Sequence, residues 1–302
     1  MDMFSVRFWG VRGAVPCPGP DTVIYGGNTS CLEIRAGDRL LIVDMGTGIR
    51  SLGYWLMEND YKKNGKIDAD IFITHTHWDH IMGFPMFSPV YVPETTLRIA
   101  GPVSFEDSLE NIIKNQLSYR YWPVRARELS ARIEFSQIME TTFDLGGGLT
   151  VTSKYLNHPI LCLGYRFCYD GKSIVAVFDH EPFQNLFCNN HEKTDFYEEE
   201  AREGELAAIE ENEKITCFIK GADILIHDAQ YCEDEYSLHI GWGHTSYEYA
   251  IKSALSADVK KLIFFHHDQL HNDRQLRQFE KYYAKKTPLK IAMAKEGMFL
   301  QA

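Results

Sequence analysis

The chain has 302 residues, of which 45% are hydrophobic and 24% charged, and a formal net charge of −11 at pH 7. This composition is ordinary for a globular protein with a sizeable core, and no apolar run is long enough to cross a bilayer, so a membrane-spanning class is excluded. The seven cysteines form no CxxC pair and the N-terminus lacks a signal-peptide pattern, which argues against a disulfide framework and favours a cytoplasmic protein.

The first part of the chain predicts a sheet that begins antiparallel. The segments FSVRFWG, SCLEIRAG and RLLIVDMG have strand patterns, and a Gly-Asp turn at 37–38 joins the last two. The segment TGIRSLGYWLMEND has helical spacing. It is followed by IDADIFITH, a short apolar run typical of a strand that is buried on both faces.

Two segments depart from the average charge, and we interpret them as insertions near 103–142 and near 189–215 in a single domain over 1–302. Within the first, residues 114–132 carry five basic residues against one acidic residue, together with three aromatic residues. A basic, aromatic segment can hold a phosphate and stack a base, which makes Arg120, Tyr121 and Trp122 candidate substrate contacts; an amphipathic cover is the plainer alternative. The second insertion has ten acidic residues against three basic ones and predicts a solvated helix or loop.

The second half predicts strands that each run into a histidine or an aspartate. These strands lie in GLTVTSKYLNH, LGYRFCYDGKSIVAVFDH, ADILIHDAQY and VKKLIFFHH, with a helix over SYEYAIKSALSA before the last of them. Residues at strand ends lie in loops that meet at one edge of a sheet. The pattern therefore predicts one site built from several strand ends in an α/β protein.

The segment ITHTHWDH carries the most specific signal in the sequence. In an extended chain His75 and His77 point to the same side, so both imidazoles can reach one ion. Asp79 and His80 follow where the chain turns into a helix, and they can reach a second ion beside the first. Divalent metals such as zinc and manganese accept imidazole and carboxylate together, and a chance match to this pattern is rare. We therefore predict two divalent metal ions rather than a histidine-rich surface loop.

An HxHxDH motif after an apolar strand resembles the metallo-β-lactamase superfamily, whose fold is a four-layered αββα sandwich with a dinuclear metal site at one edge. The resemblance implies that Asp44, in LLIVDMGTG, supports the histidine loop. It implies Asp179, in IVAVFDHEP, as the bridging carboxylate, and His266, in LIFFHHD, as the last ligand, with His267 as the alternative. The implied metal ligands are His75, His77, Asp79, His80, His158, Asp179 and His266.

The segments ADILIHDAQY and GWGHTSYEYAIKSALSADVKKLIFFHH resemble the phosphodiesterase branch that contains RNase Z and the phosphonate-pathway cyclic phosphodiesterase. The resemblance implies that Asp228 and His244 lie beside the metals. Two metal ions can hold the phosphate oxygens and activate a bridging water, but they supply no proton to the leaving alkoxide. An imidazole kept protonated by a carboxylate can supply it. The candidate catalytic residues are therefore His244, Asp228 and Asp79.

The predicted function is hydrolysis of a small phosphodiester or a cyclic nucleotide by attack of a metal-bridging hydroxide. The alternatives are tRNA 3′-processing of the RNase Z kind, or thioester or lactone hydrolysis on the same fold. The acidic chain lacks a Gly/Pro-rich basic arm, which counts against long nucleic acid. Asn28 is a further candidate substrate contact, although a Gly-Gly turn is the plainer explanation of YGGNTSC, and Arg12 is either a phosphate contact or a plain surface residue. His180 and His227 are predicted to support the ligands. Relatives in this branch suggest a homodimer.

Overall fold

The structure is a computed structural model that describes residues 4–185 and 195–302. Its strands are β1 (Phe4–Gly10), β2 (Cys31–Ala36), β3 (Arg39–Val43), β4 (Ile67–Phe72), β5 (Thr95–Pro102), β6 (Arg132–Ile138), β7 (Thr141–Asp144), β8 (Thr150–Leu156), β9 (Cys162–Tyr169), β10 (Lys172–Val177), β11 (Ile224–Asp228), β12 (Lys261–Phe265), β13 (Lys290–Met293) and β14 (Phe299–Gln301). Its α-helices are α1 (Ile49–Leu56), α2 (Lys62–Asn64), α3 (Trp78–Ile81), α4 (Leu109–Asn115), α5 (Asp195–Ile219), α6 (Glu233–Tyr236), α7 (Tyr247–Ser256) and α8 (Asp273–Ala284). Shorter helical turns are the 3₁₀ segments Pro20–Thr22, Phe84–Met86, Ser88–Tyr91 and Ala126–Glu128 and the π segment Met57–Tyr61.

The strands form two seven-stranded mixed sheets, in the orders β14-β1-β2-β3-β4-β5-β6 and β13-β12-β11-β10-β9-β8-β7. The first sheet begins with the antiparallel pairs β1–β2 and β2–β3 and continues as parallel strands, which confirms the predicted antiparallel start and the turn at 37–38. The second sheet is antiparallel from β7 to β10 and parallel from β10 to β13. Each sheet therefore has a parallel half, whose strand ends share one edge.

Three apolar clusters divide the molecule into four layers. The central cluster lies between the sheets and joins residues of β1 to β4, such as Val6 and Phe72, to residues of β8 to β12, such as Phe167 and Ile263. The other two clusters lie on the outer faces, one beneath α1 and α4 and one beneath α5, α7 and α8. Because alternate residues of a strand face opposite sides of a sheet, β10 supplies Ile174 to the central cluster and Val175 to an outer one. The predicted αββα sandwich is confirmed.

The predicted acidic insertion lies on an outer layer, whereas the predicted basic one combines an outer helix with edge strands of the two sheets. The acidic segment forms α5, which buries Ile215, Phe218 and Ile219 against the second sheet; residues 189–194 of this segment lie outside the described residues. The basic segment near 103–142 contains α4, β6 and the start of β7, and Trp122 packs on the outer cluster of the first sheet. The single-domain organisation stays a prediction. In the described part of the chain, no helix has the length and apolar character needed to cross a membrane.

The ends of six strands meet at one edge of the sandwich, as the sequence predicts. Three of the residues that follow these strands, Asp44, Asp179 and His266, have positive φ angles of 62°, 49° and 61°. This left-handed conformation is strained for residues other than glycine, by roughly 1–3 kcal/mol each, and such strain concentrates at functional sites. The residues with strained backbone conformations therefore lie at the same edge of the sandwich as the histidine and aspartate side chains.

Candidate metal centre

A first group of ligand atoms comes from His75, His77, His158 and Asp179, which all lie within 4.8 Å of one another. His158 Nε2 lies 3.1 Å from His77 Nδ1, and His75 Nε2 lies 3.5 Å from Asp179 Oδ2. Residues 75 and 77 follow β4, while His158 and Asp179 follow β8 and β10 in the other sheet. The structure therefore brings together, from two sheets, the four side chains that the sequence predicts for one ion.

A second group comes from Asp79, His80, Asp179 and His266, again with all ligand atoms within 4.8 Å. Asp79 Oδ2 lies 3.2 Å from His80 Nε2 and 3.1 Å from His266 Nε2. Asp179 Oδ1 lies 3.3 Å from both of these imidazole nitrogens, while its Oδ2 faces the first group. Asp179 thus lies between the two groups, where a bridging carboxylate belongs.

The donor atoms fit a pair of divalent cations. Within the described residues, His75 Nε2 and Asp179 Oδ1 are buried and have no hydrogen-bond partner. An unpaired buried polar atom is costly, and a cation would satisfy both of these. Imidazole nitrogens with carboxylate oxygens are the ligands that zinc and manganese take. The two groups, His75-His77-His158 and Asp79-His80-His266, with Asp179 shared, are therefore suited to hold two ions.

Asp44 fixes the histidine loop from behind. It is fully buried, and its carboxylate accepts hydrogen bonds from Thr74 N at 2.8 Å, Thr74 Oγ1 at 2.9 Å and Ser30 Oγ at 3.1 Å. It also accepts from His80 Nδ1 at 2.6 Å. A carboxylate can only accept, so the proton of His80 sits on Nδ1 and Nε2 points into the second group as a lone pair. This is the supporting role that the resemblance implies.

Burial sets the protonation of the first group. Desolvation lowers the pKa of His75 well below its ordinary value and that of His158 to about 4, so both imidazoles are neutral near pH 7, as metal ligands must be. In the second group burial also acts to lower the pKa of His80, but the carboxylates of Asp179, Asp79 and Asp44 outweigh it and raise the pKa. A proton and a metal cation therefore compete for His80.

The support of His80 by Asp44 yields a first prediction. Asp44→Asn replaces the oxygen that orients His80 by a group of the same shape that carries no charge. Because loss of such a supporting hydrogen bond weakens metal binding by roughly 10–100-fold, we expect that loss in a competition titration against a chromogenic chelator. Asp70→Asn is the control, since Asp70 is a buried carboxylate on β4 that pairs with Arg39 and Arg98 instead. Equal affinity in both variants would contradict the role of Asp44.

The two adjacent histidines at the end of β12 face different surroundings. His266 Nε2 lies in the second group, whereas His267 Nε2 donates to Ala294 O at 2.8 Å, away from the ligand atoms. Burial, together with the Arg12 guanidinium, lowers the pKa of His267 to about 3. The geometry therefore favours His266, rather than His267, as the last ligand.

The lowered pKa of His267 predicts that the protein, once a chelator has removed any metal, loses stability in acid. Its pKa of about 3 in the folded state lies below its ordinary 6.5, so on acidification the unfolded state takes up a proton that the folded state does not. The stabilising contribution is complete above pH 6.5 and is lost at about 1.4 kcal/mol per pH unit as the pH falls toward 3. Between about pH 7.5 and pH 5, urea unfolding with chelator should show His267→Gln losing about 2 kcal/mol less than the wild type. An unchanged pH slope would contradict this assignment.

His244 and Asp228 form a pair beside the second group. His244 Nδ1 donates to Asp228 Oδ2 at 2.6 Å, and its ring stacks on His266 with centroids 4.9 Å apart. Burial acts to lower the pKa of His244, but Asp228 outweighs it and raises the pKa to about 9, so the imidazole is protonated near pH 7. The ligand atoms of Asp179, Asp228, His244 and His266 also lie within 4.8 Å of one another, so this pair adjoins the bridging carboxylate directly.

Among the described residues, no hydrogen bond or ion pair joins the predicted substrate-binding side chains to the two ligand groups. Asn28 is bound to Glu296 through its backbone N–H at 2.7 Å and its side-chain amide at 3.1 Å. Trp122 donates to the hydroxyl of Tyr91 at 3.0 Å, and Arg120 and Tyr121 are exposed. Their roles in substrate binding stay predictions.

Three other predicted residues are internal. Arg12 is fully buried, and its guanidinium donates to the carbonyl oxygens of Gly26, Asp268 and His271, so it holds loops together and is not on the surface. His180 accepts from Asn157 N at 3.2 Å, and His227 donates to Asp228 O at 2.7 Å. These two histidines therefore contact the backbone of segments that carry site residues, and their supporting role stays a prediction.

Several residues at the site escaped the sequence analysis. The backbone N–H of Ala14 donates to Asp79 Oδ2 at 2.9 Å, and a side chain at Gly13 would overlap the ring of His266. Gly243, whose φ is +83°, presents its carbonyl oxygen to His158 Nδ1 at 3.0 Å. Glu181 accepts from the backbone N–H groups of 241 and 243. The only signal in the sequence was the presence of these glycines, because the contacts themselves are made by backbone atoms.

An αββα sandwich with two His/Asp groups that share one carboxylate is the arrangement expected of a metal-dependent hydrolase. The chain matches the metallo-beta-lactamase superfamily over residues 24–156. It is 27% identical over 245 residues to Ribonuclease Z of Streptococcus equi subsp. equi, covering 70% of this chain and 75% of that protein.

Solved structures resemble the whole chain. The metallo-beta-lactamase fold protein YhfI from Bacillus subtilis has a TM-score of 0.67 at 19% identity, over 100% of both chains. A diphosphatase from the PhnP family has a TM-score of 0.61 at 15% identity, over 99% of this chain and 98% of that one. Identities this low establish the shared fold, while the RNase Z similarity relates the sequence to nucleases.

Proposed function

We propose that the chain is a dinuclear-metal phosphodiesterase that cleaves a small phosphodiester or a cyclic nucleotide. The observation that carries the proposal is the His244–Asp228 pair, with 2.6 Å between Nδ1 and Oδ2, beside two ligand groups that share Asp179. A phosphodiester needs both electrophilic assistance at its non-bridging oxygens and a proton for the leaving alkoxide. The two ligand groups can hold the ions that give electrophilic assistance, and His244 can give the proton to the leaving alkoxide.

The metal ligands in this proposal are the seven residues of the two groups, with zinc or manganese as the ion. When bound, two divalent ions supply Lewis acidity toward the phosphate oxygens and an activated water at neutral pH. The chain itself contributes the orientation of the ligands, through Asp44 behind His80 and through Gly243 O behind His158. Both supporting bonds place the proton on Nδ1 and leave Nε2 free to bind a cation.

His244 is the proposed general acid. Its Nδ1–H is engaged by Asp228, so the second proton of the imidazolium lies on Nε2, the atom that remains free to donate. Asp228 is fully buried and is itself held by Thr245 N and Gln230 N, each at 3.3 Å from its Oδ1. Two neighbouring cations would draw the raised pKa of His244 back toward neutrality, where a general acid works best. Asp228 acts by orienting the ring.

Thioester or lactone hydrolysis on the same fold is a less favoured alternative. Such reactions use the same metal ligands but have no need of an imidazolium held by a buried carboxylate. The His244–Asp228 pair is therefore the feature that separates a phosphodiesterase from these hydrolases.

Processing of tRNA is the second candidate, and it is favoured by the 27% identity to Ribonuclease Z of Streptococcus equi over 70% of the chain. This similarity counts against our expectation from charge that a long nucleic acid is not the substrate. The exposed side chains of Arg120, Arg125 and Arg127 form the one basic segment we identified in the sequence, and Tyr119 and Tyr121 are exposed beside them. They are the proposed contacts for an RNA backbone.

A panel of substrates tests these functions on protein loaded with zinc or with manganese. We expect turnover of bis(4-nitrophenyl) phosphate and of at least one cyclic nucleotide, with no turnover of a lactone or a thioester. Accurate cleavage of a precursor tRNA, at a higher kcat/KM than any small diester, would establish the second candidate instead. Hydrolysis of the lactone with every diester untouched would overturn both. The cytoplasmic location and the homodimer stay predictions.

The basic segment provides a separate prediction for the RNA candidate. The triple variant Arg120→Gln, Arg125→Gln, Arg127→Gln should weaken precursor-tRNA binding and reduce its salt dependence by about one unit of slope for each phosphate that the variant no longer neutralises. If the segment contacts RNA alone, small diesters should be hydrolysed as by the wild type, whereas a raised KM on small diesters would support Arg120 as a contact of the small substrate instead. The control variant is Lys63→Gln with Lys66→Gln, two exposed lysines before β4. Equal binding by both variants would exclude this segment as the RNA contact.

A further inference from the structure

A pocket of about 340 Å³ opens directly beside the first ligand group. Its walls include the apolar side chains of Pro159, Pro182, Phe183 and Ile240, and it shares His158 with the ligand group. Ligand pockets range from roughly 300 to 1,000 Å³, so this one has room for a single ring system and not for a long chain. Any substrate held at the ligand groups therefore has an apolar recess next to its phosphate.

The pocket is held in shape by a buried carboxylate. Glu181 accepts hydrogen bonds from Gly241 N at 2.8 Å, from Gly243 N at 2.8 Å and from the hydroxyl of Tyr236 at 3.0 Å. These bonds fix the loop that carries Ile240, which lines the pocket, and His244, which follows Gly243 in the chain. The recess and the proposed general acid are therefore positioned by the same loop.

Helix α5 holds the opposite wall of the pocket in place through hydrogen bonds to the backbone of Phe183. The side chain of Asn212 accepts from Phe183 N at 3.0 Å and donates to Phe183 O at 2.9 Å. A preformed wall of this kind lowers the ordering cost of binding. The backbone of Phe183 is thus held in place, and its side chain lines the pocket beside the ligand groups.

The electrostatics of the pocket select the kind of group it accepts. Among the described residues that line it, none is a lysine or an arginine. Its ionisable side chains are His158, which is proposed to bind metal, and Glu181, whose oxygens already accept three hydrogen bonds. A second phosphate or a carboxylate would find no cation here, whereas a neutral ring loses little on leaving water.

We infer that this pocket is a specificity subsite for a neutral, planar substituent of the phosphodiester, of the nucleobase class. The inference rests on the proposed function and narrows its substrate from diesters in general to nucleotide esters. Stacking of a base on an aromatic ring and burial against apolar side chains provide the affinity, while the phosphate remains at the ligand groups.

The test compares two esters that have the same leaving group, thymidine 5′-(4-nitrophenyl) phosphate and methyl 4-nitrophenyl phosphate. Wild-type protein should prefer the thymidine ester in kcat/KM by roughly 5- to 100-fold, the usual effect of stacking one base. Phe183→Ala removes the wall, and Ile240→Trp fills the recess; both should bring the ratio of the two kcat/KM values close to one. Leu238→Trp is the matched control, since Leu238 is 79% exposed on the same loop and does not line the pocket, and it should keep the wild-type ratio.

A binding measurement keeps the result independent of turnover. By calorimetry on metal-loaded protein, thymidine 5′-phosphate should bind more tightly than inorganic phosphate, and Ile240→Trp should abolish the difference without unfolding the chain, because Ile240 is 55% exposed. If diesters are hydrolysed but both variants keep the wild-type ratio and affinities, the subsite is overturned and the proposed function stands. If no diester is hydrolysed, the proposed function fails, and the calorimetric comparison alone decides whether the pocket binds a base.

Discussion

Asp179→Asn should lower kcat on every substrate by about 10³–10⁴-fold, since the two ions are expected to supply several kcal/mol of transition-state stabilisation. Asp179 is 2% exposed and lies within 3.5 Å of imidazoles from both ligand groups. The amide has the same size and tolerates the positive φ of 49°, so the variant removes charge and keeps the backbone. Metal analysis should show fewer than two ions per chain.

The hairpin between β9 and β10 supplies the control. Asp170 has the same φ of 49° but is exposed at the turn, so Asp170→Asn changes the same chemical group in the same backbone conformation. It should retain both ions and full activity. A variant at 179 that binds two ions and turns over like the wild type would show that the carboxylate does not bridge.

His244→Ala should lower kcat by about 10²–10⁴-fold on a diester with an alkoxide leaving group, the usual contribution of acid–base catalysis. An alkoxide is a strong base and needs the proton, whereas 4-nitrophenolate is a weak base and gains little from it. The loss on bis(4-nitrophenyl) phosphate should therefore be much smaller, with metal content unchanged. Asp228→Asn should show the same pattern more mildly, because it misorients the ring without removing it.

The comparison of the two leaving groups separates three roles for His244. Equal losses on both substrates, with metal intact, would mark it as a structural residue. A fall in metal content would mark it as a ligand, a role that its place within 4.8 Å of Asp179 and His266 makes chemically available. Only a loss confined to the alkoxide ester supports a general acid.

The sequence predicts the fold and the ligand groups because both are encoded locally. His75, His77, Asp79 and His80 lie within six positions, and the strand pattern alone places the end of β4 at a sheet edge. The remaining ligands follow other strands, so the topology of parallel strands brings them to the same edge. The resemblance to a known family then gives their order along the chain.

The rest of the site depends on contacts that no local pattern reveals. Glu181 meets a loop that lies 60 residues further along the chain, through backbone N–H groups that carry no sequence signal. Asn28, which its neighbouring glycines suggested as a substrate contact, meets Glu296 across almost the whole chain, 268 residues apart. The aromatic ring of Trp122 could stack on a base, yet part of this ring packs against the outer apolar cluster of the first sheet. Composition indicates what a side chain can do, but its partner is set by tertiary packing.

The order of the ligands along the chain makes the two ligand groups complete at different times during synthesis. The chain emerges from its N-terminus, and the first group is complete in sequence at Asp179, whereas the second lacks its last ligand until His266 has been made. The residues between them include α5, β11, α7 and β12, which must pack before His266 can reach Asp79. In the order of synthesis, the ligands of the first group are therefore all present before those of the second group are.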